Sequence, residues 1–365
     1  MPDDKSKSAA TVTRFGDVPA FIRELTFADL SPDVVAHARR CVLDLIGTAV
    51  GGSRTGAAHS ANHYAATQLR GSEREARLLF DGRRASPAGV AFAGAATIDS
   101  LDAHDGHVLT KGHTGVTVLP TLLGFVDSGA PCDDREFIAC VVLGSLTLER
   151  DDAVPYWGDL GSRWRIREQY FKAYPVCRWA QPAIEAALAL NRAEAFTADD
   201  IEEIAIDSFA ESVALGAGCA VPATTDEAQY SLPYPVAAAL VFGEVGAAEV
   251  EMPKLADPGV RRLLSVMELT EDLEFSRRFP AERWARVRIT LKDGRVLASE
   301  PAIARGNPEN PLTDDEIRSK YRVLAEPVLG NERTARIEQA VAGLGRGSGT
   351  CAALLDDVLR GGGQG

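Results

Sequence analysis

The sequence lacks a basic surplus: 52 Asp and Glu face 39 Lys and Arg, for a formal net charge of −13. Such a chain has little with which to displace counterions, which argues against nucleic acid or an anionic membrane surface as partner. Cysteine is scarce and unpaired in pattern. The six thiols, Cys41, Cys132, Cys140, Cys177, Cys219 and Cys351, are scattered and form no CxxC. A disulfide framework is therefore not expected; a reduced, cytoplasmic chain with mostly buried thiols is. Long hydrophobic runs are missing too. The longest, around PYPVAAALVFG, is too short to span a bilayer. The opening stretch MPDDKSKSAATVTRFGD is polar and acidic, without the apolar centre of a secretory signal.

What is present is a core-forming chain. Of 365 residues, 45% are hydrophobic and 25% charged, enough for one large domain or two ordinary ones. Residues 1–16 read as a disordered tail. In SPDVVAHARRCVLDLIGTAVGG, Ser31 is placed to cap a helix, Pro32 opens it and Gly51-Gly52 stop it. Val34, Ala38, Cys41, Val42, Leu45 and Ile46 recur at helical spacing and predict one buried face. His37 on that helix reads as structural. Further helices are expected in SPAGVAFAGAATIDSLDAHD, TVLPTLLGFVDSG and DDREFIACVVLGSLTLER, which makes the first 150 residues all-helical.

The pattern changes near residue 160. IEEIAIDSF, SVMELTED and RVRITLKDGRVLASE alternate and carry β-branched residues, as strands do. Lys292-Asp293-Gly294 is a hairpin turn signal. RWAQPAIEAALALNR and SLPYPVAAALVFG read as helices between them. After GNPENPL, the Thr313–Glu316 capping box restarts a helix. The expected fold is mainly α with an α+β domain. Residues 17–159 and 309–360 would form a helical domain from both chain ends, and 160–308 an inserted α+β domain.

Chemistry concentrates in DSLDAHDGHVLTKGHTG, which holds three of the six histidines: His104, His107 and His113. As a metal site it is weak, because HxxH with a third histidine further on is not a strong signature and Lys111 would stand beside the cation. As a bare polar loop it would carry no chemistry. The acid/base reading fits better, since a histidine near neutrality exchanges protons and Asp102 and Asp105 can orient it. The N–H groups from Thr114 to Thr117 would open the following helix as an anion seat. A second cluster, YFKAYPVCRWAQP, sets Lys172, Tyr174, Cys177 and Arg178 among aromatics, with Arg163, Arg165 and Arg167 upstream. Lysine and arginine there suit carboxylates, whereas Cys177, with no histidine near in sequence, reads as structural. Tyr230 and Tyr234 open a third candidate stretch, with core packing as the alternative.

Together these stretches resemble the MmgE/PrpD family. LDAHDGHVLTKGHTGVTVLPTLLG, YFKAYPVCRWAQPAIEAAL and AQYSLPYPVAAAL are similar to three of its conserved-order segments, from about residue 16 to the chain end. The resemblance implies a helical domain built from both chain ends, an inserted α+β domain and an active site between them. It also implies action on di- or tricarboxylates by moving a proton next to a carboxylate, without metal or organic cofactor. In the first segment Asp102, Asp105 and His113 match the family pattern, whereas His104, His107 and Lys111 depart from it; taken with the acid/base reading of the residues, His113, His107, His104, Asp102, Asp105, Lys172 and Tyr174 are the expected catalytic residues. Lys111, Thr114, Arg178 and Tyr234 are the expected substrate-binding ones, and no metal ligand is assigned. Gln181 stands where many members carry histidine. A lysine-bearing segment that members have after the position of Glu149 is absent here. Its loss is expected to bare Phe137, Val141, Val142, Leu146 and Leu148, which a homodimer would cover. His113 and Lys172, read as loop residues, are expected to cost little stability when replaced.

Overall fold

The computed structural model describes residues 18–107, 112–145, 160–347 and 351–361. It is a mainly α fold with an α+β portion, organised around the helix Pro32–Gly52. Val34, Ala38, Cys41, Val42, Leu45 and Ile46 form the buried stripe that the spacing predicts. From Cys41 to Val50 every residue is buried, Asp44 and Thr48 included, so this is a central helix rather than a surface one. His37 is half-buried, with its ring 5.4 Å from that of Phe171.

Three helices of the first half pack on it: Pro87–Asp99, Thr114–Asp127 and Asp134–Gly144. Their starts are set locally. Ser86 Oγ accepts from the Gly89 N–H at 3.1 Å, and Asp133 accepts from the N–H groups of Arg135 and Glu136 at 2.8 and 2.7 Å. The helix Asp314–Leu329 returns from the far end of the chain to lie against the central helix. Its start is the expected capping box: Thr313 Oγ1 accepts from the Glu316 N–H at 3.2 Å, and Glu316 accepts from the Thr313 N–H at 2.8 Å.

The first half is not wholly helical. Ala76–Arg77 pairs with Arg84–Ala85, and Gly106–His107 pairs with Gln169–Tyr170, both antiparallel. The second ladder matters most, because it ties together the two stretches richest in candidate site residues. A further correction concerns the helix before the shortened segment. Phe137, Val141 and Val142 are buried within the chain itself, so they present no bare surface for a second copy. Leu146, Leu148 and Glu149 lie outside the described residues.

The α+β portion holds a five-stranded sheet. Ile201–Ser208 runs parallel to Met267–Glu271 and antiparallel to Trp284–Leu291, which pairs in turn with Val296–Ala298 and Ala302–Ile303. On Trp284–Leu291, Ala285, Val287, Ile289 and Leu291 are buried at alternate positions, facing the helix Gln181–Ala193. The turn at Lys292-Asp293-Gly294 is as expected.

Two hydrophobic cores result. One draws on residues from Phe21 to Phe171 and again from Leu312 to Leu359. The other spans Val176 to Leu291 and takes in Leu101, Ala103 and Leu324. The chain from Leu101 to Ala103 therefore leaves the first core and inserts into the second. Among the described residues no helix is long and apolar enough to cross a membrane.

Under this junction lies an ion pair. Lys320 of the returning helix donates to Asp44 at 2.6 Å and to the Ala103 carbonyl at 2.5 Å, with the Asp44 side chain fully buried. Burial raises the Asp44 pKa and Lys320 opposes that rise. Lys320→Met should cost about 3 kcal/mol, because it strands a buried carboxylate, and the double variant Lys320→Met/Asp44→Leu should recover most of it. Urea unfolding of the three variants checks this; a double variant no better than the single one would show that the pair is not where the cost arises.

Candidate active site

The polar run after the Pro87–Asp99 helix is buried from Leu101 to His107. Asp102 is 6% exposed, His104 1%, Asp105 0% and His107 5%, which rules out a solvated loop. Such polar density is costly inside a protein unless its groups are partnered, and Asp102 is. The Asp102 N–H donates to the Gln229 side-chain carbonyl at 2.6 Å, and the Asp102 carboxylate takes the ammonium of Lys172 in a buried ion pair. Lys172 is brought there by the Gly106–His107 ladder to Gln169–Tyr170, two residues before it.

The two inner histidines share one acceptor. His113 Nδ1 lies 2.7 Å from the Asp105 carbonyl and His104 Nδ1 3.2 Å from the same oxygen, with the rings edge-on at 4.4 Å. A carbonyl only accepts, so both Nδ1 atoms carry protons and, on His113, Nε2 is left as the basic nitrogen. His104 Nε2 sits 3.4 Å from Asp99 and 3.5 Å from Asp102. Burial, with the neighbouring His104 and Lys172, pushes the His113 pKa down to about 4. His113 is therefore neutral at physiological pH and can accept a proton. Gly106 makes the approach possible: a Cβ there would come 2.8 Å from His113 Nδ1 and 2.5 Å from the Tyr170 hydroxyl.

Asp105 acts through its carbonyl. Its carboxyl turns instead into a separate internal recess with Cys41, Leu45 and Gln169, where both oxygens are without a hydrogen bond. A Cβ at Gly115 would lie 2.7 Å from that carboxyl, so the chain's own acid fills the start of the Thr114–Asp127 helix. Burial, then the charge of Asp44, raises its pKa to about 7.

A pocket of ≈ 150 Å³ opens in front of these groups. Its lining includes Asp102, His107, His113, Tyr170, Lys172 and Arg178, with Cys177, Trp179, Tyr230 and Arg283 completing it. That is well below the ~300–1,000 Å³ of pockets that take drug-sized ligands, and suits a small acid. Three cations, Lys172, Arg178 and Arg283, stand against the single carboxylate of Asp102. Burial raises the Tyr170 pKa to about 12, and the Asp102 carboxylate, with burial, raises that of Tyr230 to about 12. Both phenols therefore keep their protons as donors. His107 lies 3.4 Å from Glu168, and burial lowers its pKa.

Several expected residues lie elsewhere. Tyr174 lines a different cavity, with Lys320 and Arg305, and its pKa is raised by burial and by Glu185, its hydrogen-bond partner. Tyr234 is buried in the second core and donates to the Glu249 carbonyl. Thr114 opens its helix outside the pocket lining. Lys111 lies outside the described residues. Arg178 does line the pocket, but its Nη atoms are held by the carbonyls of Phe171, Ala304 and Arg305 and by Gln181 and Asn307. Arg163 and Arg165 pair with Glu168, and Arg167 with Asp33, so none supplies the recess expected of them. Gln181 accepts from Arg178 and donates to the carbonyls of Tyr174 and Val176, a brace rather than a proton carrier. Burial raises the Cys177 pKa, so its thiol is not activated. His113 and Lys172 are not loosely held surface groups: Lys172 is 2% exposed. Among the described residues no group of three or more His, Cys, Asp or Glu side chains is placed to hold a metal ion. Tyr170, Gln229 and Arg283 were not singled out in the sequence. No local pattern distinguishes Arg283 from the many other arginines around it.

This arrangement, a small cationic pocket beside paired histidines between a helical core and an α+β core, can be set against known proteins. Residues 17–145 match the MmgE/PrpD N-terminal domain and residues 174–345 the MmgE/PrpD C-terminal domain. The chain belongs to the MmgE/PrpD family. It is 31% identical over 193 residues to a cis-aconitate decarboxylase-like protein of Aspergillus oryzae, covering 51% of this chain and 39% of that protein. It is 25% identical over 174 residues to the cis-aconitate decarboxylase of Mus musculus, covering 46% of this chain and 35% of that one. The aligned part thus spans less than half the length of either relative.

Asp105 holds its proton to about pH 7 when folded, against an ordinary value of 3.8. Its contribution to stability is full below pH 3.8 and is lost as pH rises through 7. Asp105→Asn should therefore raise Tm at pH 8, by an amount on the order of a few kcal/mol in stability, and change it little at pH 4. Thermal melts at the two pH values decide; an equal effect at both would mean the carboxyl does not titrate as its surroundings dictate.

Proposed function

We propose that this protein is a lyase-type enzyme acting on a small di- or tricarboxylate by removing a proton from the carbon next to a carboxylate. The observation that carries the reading is the pocket itself: three cations against one carboxylate, in a chain of net charge −13, beside a neutral histidine. The names of the two relatives agree with it. His113 Nε2 takes the proton, and the Asp105 carbonyl holds the imidazole in the tautomer that allows this. His104 stands behind His113, within reach of Asp99 and Asp102, and positions it. Lys172, kept in place by Asp102, faces the carboxylate on which charge builds up, in a site where such charge is poorly screened. The protonated phenols of Tyr170 and Tyr230 can donate to a leaving oxygen or to the developing enolate. His107 with Glu168 is the second group able to carry a proton. No step in this scheme calls for a metal or an organic cofactor.

A second reading is a binding protein on the same fold. It is favoured by the direct run GSLTLERDDAVPYWGDLGSRW, which crosses where family relatives carry a lysine-bearing segment. A panel of citrate- and succinate-like acids in deuterated water separates the two by NMR. Exchange at the carbon next to a carboxylate supports the enzyme, and binding without exchange supports the alternative.

His113→Gln should lower kcat/KM by about 10²–10⁴-fold while the chain stays folded. The acidic limb of the kcat/KM profile should fall near pH 4, because the base stays unprotonated down to its lowered pKa of about 4. A limb near 6.5, or turnover unchanged in the variant, would remove His113 from this role. Exhaustive chelation should leave turnover unchanged; a loss restored by one particular divalent ion would bring back a metal centre.

A further inference from the structure

The basic side chains around the pocket differ in what they have left to offer. Lys172 is paired with Asp102, and the Nη atoms of Arg178 are taken up by carbonyls, Gln181 and Asn307. Arg178 also lies over the Tyr170 ring at 4.8 Å, so it braces the wall and cannot swing to a ligand. Arg163, Arg165 and Arg167 are consumed by Glu168 and Asp33. Arg283 is different. It lines the pocket half-buried, and among the described residues it has no ion pair and no hydrogen bond. Its Nε is fully buried without a partner.

A buried guanidinium Nε without an acceptor among the described residues, in a chain with 52 Asp and Glu, is a cost that folding alone does not explain. The group is nonetheless held firmly. Its guanidinium carbon lies 5.8 Å from the centre of the Phe279 ring. Phe279 is itself stacked on Phe209 at 4.7 Å and meets Trp179 edge-on at 5.6 Å. Immediately after Arg283 the chain enters the strand Trp284–Leu291, whose first residues pair with Ala302–Ile303 and with Ser208. A planar fork of donors is thus mounted on an aromatic support at the edge of the sheet, with no hydrogen-bond acceptor among the described residues.

We propose that Arg283 receives a second carboxylate of the substrate, and so sets the preference of this pocket for polycarboxylates over monocarboxylates. This rests on the functional reading above. One carboxylate meets Lys172 beside His113, and the other is gripped through the paired donors of Arg283, which comes from the α+β core. The substrate then bridges the two cores, and its reacting carbon is fixed against the base by contacts at both ends. A monocarboxylate would leave Arg283 unpaired and gain nothing from it.

The test is calorimetric titration of the full chain with tricarballylate, succinate and butyrate, using wild type, Arg283→Gln and Arg283→Lys. The wild type should bind the two polycarboxylates more tightly than butyrate. Arg283→Gln should weaken tricarballylate and succinate by about 10–100-fold and leave butyrate unchanged. Arg283→Lys should fall between, since an ammonium keeps the charge and loses the fork. Because Arg283 makes no hydrogen bond within the described protein, Arg283→Gln should have a Tm equal to or above that of wild type. A fall in Tm of several degrees would assign Arg283 to the fold instead. Unchanged polycarboxylate affinity in Arg283→Gln would overturn the Arg283 assignment alone. A wild type that binds none of the three acids would overturn both this inference and the carboxylate reading.

Discussion

The buried contact between Asp102 and Lys172 is the constraint on which the rest of the site depends. Each buried charge is the other's direct partner, and removing either would leave an unpaired ion inside the protein. Their meeting requires the chain to cross from one core to the other at Leu101–Ala103 and the Gly106–His107 ladder to close on Gln169–Tyr170. Once these are in place, His113, Tyr170 and the loop carrying Arg178 have few positions left to occupy. The pocket is the space that remains between them.

The same burial that makes the pair necessary tunes the proton-active groups. His113 loses basicity because the imidazolium would be poorly solvated beside Lys172, and that loss keeps it unprotonated at neutral pH. Asp105 moves the opposite way for the same reason, since a carboxylate next to Asp44 would be a second buried anion. The two effects are one event seen from an acid and from a base. The shared acceptor is a peptide carbonyl, which neither titrates nor changes charge. It keeps the Nδ1 proton of both rings and, on neutral His113, leaves Nε2 free to accept one.

Cation accounting separates the walls of the pocket from its working face. Of the arginines near the site, most are spent on structure: Arg178 ties together the Phe171 and Ala304–Asn307 strands of chain, and the Arg163–Arg167 group serves Glu168 and Asp33. Charge density in sequence is therefore a poor guide to charge available to a ligand. The run RWRIR adds three arginines upstream of the expected recess, and none of them serves it, because Glu168 and Asp33 already answer them.

The local elements were legible in the sequence. Thr313 caps its helix where its spacing says it should, Pro32 opens the central helix although Ser31 before it makes no side-chain capping bond, and alternation on Trp284–Leu291 gives the buried face of the sheet. These depend on groups a few residues apart, so a linear reading contains them. The sequence also marked three candidate stretches, residues 99–115, residues 170–182 and AQYSLPYPVAAAL, and pointed to the family by their order. What only the tertiary structure decided were the partners. Asp102 and Lys172 are 70 residues apart, and Arg178 and Asn307 are 129 apart. Whether Tyr174 or Tyr170 faces the pocket depends on which side of the chain the ladder to Gly106 presents. Whether Asp105 works by its carboxyl or its carbonyl depends on how closely Gly115 lets the helix approach. Whether an arginine is free depends on every carboxylate and carbonyl that folding brings within reach. Burial and charge pairing are properties of the whole fold, and they decide which of the ionisable residues line the pocket and which are spent on structure.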